Sequence, residues 1–200
     1  MERTGLETAA ANYTYLRGLF FIPLGVLPIV SALGNTGWGP LRNTWVFLAV
    51  LALIGIACLP INNFYNKHYG TLRASAGQQA RAAAAVVLAI VVVVGGSTLL
   101  RSRASWSLDL PVNATAVTLS LVILLSYAAG RVLKAHHLII WGTVLVVGAI
   151  PLWDGADPSN IGLAIVGVAL MVNGVFDHLL FVRTFGPPAG LEGQGDNARA

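Results

Sequence analysis

The chain alternates long apolar runs with short polar ones. Six apolar segments stand out: Leu19–Trp38, Trp45–Phe64, Ala82–Leu100, Val112–Gly130, Leu138–Trp153 and Ile161–Val182. A helix needs about 17–25 apolar residues to cross a bilayer, and five of the six meet that length. The fifth has 16 residues. At about 1.5 Å per residue it reaches about 24 Å, against a hydrocarbon core of about 30 Å, so it must thin the bilayer or borrow its flanks. The pattern predicts an all-α integral membrane bundle of six helices in one domain, residues 1–185, followed by a Gly- and Pro-rich tail, residues 186–200, with almost nothing to bury.

Composition strengthens this picture. Of the 200 residues 56% are hydrophobic and only 10% charged, whereas soluble domains carry about 25% charged residues. The net charge of +4 is spread thinly. No basic run suits nucleic acid, so the expected environment is the lipid bilayer. With six spans and the N-terminus inside, Arg3, Arg17, Lys67, Arg73, Arg81, Arg131, Lys134, Arg183 and Arg199 fall on the cytoplasmic side, and Arg42, Arg101 and Arg103 outside. Removing the fifth span would move Arg183 and Arg199 outward and blunt the asymmetry that the positive-inside rule expects. The charges therefore predict both termini cytoplasmic. With no eukaryotic targeting signal in view, they point to a bacterial inner membrane.

The punctuation agrees. Trp38, Trp45, Trp106 and Trp153 fall near predicted outer ends, where amphipathic rings prefer the interface. Pro111 suits the first turn of the fourth helix, and Asp154–Asn160 is a turn-forming run. Pro23 and Pro28 should bend the first helix. Glu2 and Glu7 offset Arg3 ahead of the first apolar run, so that run reads as a retained span rather than a cleaved signal. The single cysteine, Cys58, cannot form an internal disulfide.

Candidate chemistry concentrates in Asn173–Arg183, NGVFDHLLFVR. Asp177 is the one acidic residue placed within a predicted span, and Asn173 precedes it by four residues, on the same helical stripe. With His178 these make a candidate intramembrane polar site. One reading is a proton or cation path, since ionisable groups inside membranes commonly line transport routes. The other is an interhelical anchor, in which Asp177 pairs with Arg17, Arg131 or Lys134 from the same side. The anchor ranks first, because a transport path would need more polar lining.

His136 and His137 open the fifth segment on the same side as His178, which raises a metal or haem cluster. Adjacent histidines diverge by about 100° on a helix, and none of the three has the spacing of a metal motif. The alternative is interfacial histidines, whose titration near neutral pH would make the bundle acid-sensitive. Around Asn62–Arg73, the residues Tyr65, Lys67, His68 and Arg73 form a candidate inner-interface contact for a protein partner or anionic lipid, or an ordinary aromatic belt. Small residues, among them Gly167 and Gly174 one heptad apart, predict close helix packing or a homodimer.

No nucleophile elbow, phosphate loop or paired intramembrane carboxylates are present, and no cofactor is specified. The sequence therefore predicts a non-enzymatic membrane protein, a regulatory or scaffold component with a membrane or cytoplasmic partner. A small transporter or ion pathway using Asp177 comes second. A haem or metal protein comes third.

Overall fold

The computed structural model describes residues 16–69, 112–129, 132–150 and 158–186, with isolated positions at 13, 77, 80, 83, 84, 87, 88 and 91. The predicted third span therefore lies almost entirely outside the described residues, as do Arg73, Pro111, Arg131 and the tail beyond Gly186. Every described element is helical. A 3-10 turn, Gly18–Phe20, leads into α1 (Phe21–Asn35), and a second, Gly39–Arg42, leads to α2 (Thr44–Tyr69). Then follow α3 (Ala114–Ala129), α4 (Ala135–Ala149) and α5 (Pro158–Phe185).

Three segments are long and apolar enough to cross a membrane, Gly18–Asn35, Thr44–Tyr69 and Ser159–Phe185. Helices α3 and α4, with 16 and 15 residues, are apolar but shorter. Several boundaries differ from the sequence reading. Helix α4 begins at Ala135 rather than Leu138, which draws His136 and His137 into its first turn. Helix α2 continues to Tyr69, so Tyr65, Lys67 and His68 belong to a helix and not to a loop. Helix α5 runs three residues further at each end. It stops at Gly186, whose φ of 86° suits a glycine after a helix and whose N–H closes on the Val182 carbonyl at 2.9 Å. Pro23 sits in the first turn of α1. Only Pro28 removes a donor from that helix's interior, and Pro60 does the same in α2.

Helix α5 is the central post, packed by α1 on one side and by α3 and α4 on the other, while α2 packs on α1. The seam with α1 is built from backbone. A Cβ added at Gly25 would lie 2.5 Å from the Gly167 carbonyl oxygen, and one at Gly167 equally close to the Gly25 carbonyl. Gly18 faces Gly174 in the same way. The pairing runs in reverse order, so the helices are antiparallel, and the seven-residue spacing matches on both. Only glycine permits this approach.

Two apolar clusters flank α5. Between α3, α4 and α5, the buried Ala116, Tyr127, Trp141, Val144, Val166 and Ala169 form one core. At the opposite face Tyr13, Leu16, Tyr65 and Phe181 form another. Many large apolar side chains point outward, for example Leu53, Ile56 and Leu59 of α2. Exposed leucines and isoleucines in such numbers suit lipid and not water.

Candidate functional site: a buried carboxylate shared by two histidines

Asp177 is fully buried on α5, eight residues before the helix ends at Phe185, or about 12 Å along the axis. Three N–H groups surround its carboxylate. His136 Nε2 lies 2.8 Å and His137 Nε2 2.9 Å from the same oxygen, Oδ1. Asn173, one turn earlier on α5, donates its amide to Oδ2 at 2.7 Å. The same amide nitrogen donates to the Tyr127 hydroxyl of α3 at 3.1 Å. The network thus ties α3 and α4 to α5 at one level.

The start of α4 explains how the histidines reach it. Lys134 is extended, with φ −118° and ψ 163°, and ends the preceding segment. Its backbone N–H donates to Nδ1 of His137 at 3.1 Å. Lysine has no side-chain acceptor, so this histidine, three residues on, takes the carboxylate's place in a capping box. Two consecutive histidines point about 100° apart, but an imidazole reaches far from its Cα, and a carboxylate in the sector between them meets both rings. The rings are 4.1 Å apart and inclined at 63°. His137 also stacks on Tyr127, centroids 3.9 Å apart and nearly parallel.

The capping bond fixes the chemistry of His137. Nδ1 accepts an N–H, so in the neutral ring the proton sits on Nε2, which then donates to Asp177. A metal held by Nε2 would require the opposite tautomer, with Nδ1–H facing the Lys134 N–H. The spacing argues the same way. Donors about 2.0–2.2 Å from one tetrahedral ion stand about 3.3–3.6 Å apart. The two N–O separations here are instead hydrogen-bond lengths. His136, His137 and Asp177 are the group best placed to hold a cation among the described residues, and as they stand they are joined by hydrogen bonds.

Of the expected ion-pair partners, the two that are described, Arg17 and Lys134, do not meet Asp177. Arg17 directs its guanidinium to the Asn62 side-chain oxygen at 2.9 Å and lies over the rings of Tyr13, Phe20 and Tyr65. Lys134 contributes only its backbone, and Arg131 lies outside the described residues. Among the described residues the partners of Asp177 are thus two histidines and an amide. The two imidazoles start α4 directly beside Asp177, whereas Arg17 is engaged on the α2 side of the bundle. Burial raises the Tyr13 phenol above its ordinary value, and the Arg17 guanidinium opposes that rise.

His178 separates from its neighbour. Its Nδ1 meets the Tyr65 hydroxyl at 2.9 Å, and that hydroxyl accepts the Leu19 N–H at 3.3 Å. Adjacent residues of one helix thus serve opposite faces of the bundle. Tyr65 is fully buried in this second network, so it cannot be an interface contact. Lys67 is exposed, and His68 holds the Phe64 carbonyl at 2.9 Å within its own helix. The sequence reading missed Tyr127, although a lone hydroxyl-bearing ring near the inner end of an apolar run was its signal. It also missed the far end of the bundle. There the Asn113 side chain accepts the Ala116 N–H at 3.0 Å to open α3, and Asn35 donates to Asn160 at 2.9 Å.

The chain matches no protein-family model, no curated protein and no solved structure.

Proposed function

We propose that this chain is a six-span, non-enzymatic component of a bacterial inner-membrane assembly, with both termini in the cytoplasm, in which the network at Asp177 locks α5 to α3 and α4. The observation that supports this reading is the pairing of the buried carboxylate. Three N–H donors from two helices hold the Asp177 carboxylate, and the residue is fully buried. An ionised group kept in an apolar bundle is normally paired or functional, and three bonds to one carboxylate favour a clamp. The charge asymmetry of the loops supports the orientation.

A second reading, a proton pathway through Asp177, is favoured by the 18% exposure of the His136 side chain. Vesicles holding the purified protein and a trapped pH-sensitive dye separate the two. A clamp leaves an imposed pH gradient decaying no faster than in empty vesicles. Fast decay abolished by Asp177→Asn would overturn the clamp and establish the pathway. In native gels of mild-detergent extracts, a component of an assembly migrates as a complex, and migration as a monomer alone would count against it.

A further inference from the structure

We infer that the cluster is a proton-binding site with one point of entry, Nδ1 of His136. The inference rests on the clamp reading, in which the bonds at Asp177 stay intact. Four nitrogen and oxygen positions could take a proton. His137 Nε2 already carries one and Nδ1 accepts the Lys134 N–H, so protonating Nδ1 would break the opening of α4. Asp177 Oδ1 faces two N–H groups and Oδ2 faces the Asn173 amide. A proton on Oδ1 would displace a donor, and Oδ2, which accepts one N–H, is closed to water because the Asp177 side chain is only 1% exposed. His136 alone differs. Its Nε2 is committed to Asp177, its Nδ1 has no bond to any described residue, and its side chain is 18% exposed where those of His137 and Asp177 are 3% and 1%.

A proton delivered from water to the Nδ1 lone pair breaks only its bond to water. It turns His136 into an imidazolium that still donates through Nε2. The cluster then passes from a net charge of −1, an ionised Asp177 with two neutral imidazoles, to zero. No hydrogen bond is lost. Among the described residues the titratable groups that face His136 are Asp177 from α5 and His137 on its own helix, with Tyr127 of α3 behind His137. Phe176 of α5 stacks on its other side, 6.0 Å away, and carries no charge. His178 is turned to Tyr65 and takes no part. The buried link between α4 and α5 therefore carries the protonation state of the side on which α4 begins.

The test uses the full chain in lipid nanodiscs with 15N-labelled histidine, read by NMR across the histidine range of about pH 5 to 8. His136→Gln keeps an N–H donor toward Asp177 and identifies the His136 signals by their loss. The expected result is that His136 Nδ1 passes from unprotonated to protonated as the pH falls, while His137 remains neutral with its proton on Nε2 throughout. The His137 signals in His136→Gln should not move. Protonation of His137 Nδ1, titration of both rings together, or no change at His136 would overturn the proposal. So would Zn2+ added alone, if it shifts both Nε2 signals saturably. Should His136→Gln fail to fold, the His137 tautomer in the unmodified protein still decides the matter. The dye assay answers separately: rapid proton flux defeats the clamp, whereas the NMR result defeats only the proton site.

Discussion

Replacing Asp177 by Asn and by Leu tests the clamp through the size and order of the losses. In Asp177→Asn the shape is kept and the charge removed. Three charge-assisted bonds, from His136, His137 and Asn173, become neutral ones. Each weakens by about 1 kcal/mol, and relief from burying a carboxylate returns part of the sum, so the net loss is about 1–3 kcal/mol. The Asn side chain also presents an NH2 where Oδ2 accepted, so Asn173 must turn its amide to meet it. Asp177→Leu removes every acceptor at once. Two buried donors, on His137 and Asn173, are then unpaired, at about 1–3 kcal/mol each, giving a loss of about 2–6 kcal/mol, while the part-exposed His136 can turn to water. Unfolding in detergent micelles, followed by helical circular dichroism, measures both variants against the unmodified chain. The reasoning fails if Asp177→Leu is as stable as the parent, since two buried N–H groups cannot lose their acceptor without cost.

Three further outcomes follow from the packing. Gly25→Leu and Gly167→Leu should each lower stability by at least about 1–3 kcal/mol, because the added side chain meets a carbonyl oxygen rather than a yielding side chain, while Gly142→Ala, which meets nothing within 4 Å, should cause no loss in the same unfolding assay. Tyr65→Phe removes the hydroxyl that joins the Leu19 N–H to His178, and should cost about 1–2 kcal/mol by thermal unfolding, with the aromatic packing around Phe181 intact. Reporter fusions after Phe185 and within residues 151–157 should report opposite sides of the membrane, and the same side for both would remove the crossing by α5.

The apolar runs specified the helices because apolarity and turn chemistry are properties of a segment and its immediate neighbours. The long apolar stretches around α1, α2 and α5 are legible one residue at a time, and so is the stripe that sets Asn173 four residues before Asp177. Boundaries were less legible. The start of α4 depends on His137 accepting the Lys134 N–H, a side-chain bond that no hydropathy pattern records. The partners of Asp177 were less legible still. Charge alone favoured Arg17, Arg131 and Lys134, since opposite charges on one side of a membrane attract, and of these Arg17 and Lys134 lie among the described residues. What decided instead was the antiparallel glycine seam and the place where α4 begins: Gly18, Gly25, Gly167 and Gly174 set how closely α1 meets α5, and the first turn of α4 delivers two imidazoles to the carboxylate. The same placement put Tyr65 inside, against His178, although its sequence context of amides and basic residues suggested a surface. The sequence by itself thus determined that the described segments are apolar helices, three of them long enough to cross a bilayer. Only the tertiary structure decided which polar side chains meet, because a hydrogen bond at 2.8 Å depends on the distance and rotation between helices far apart in the chain.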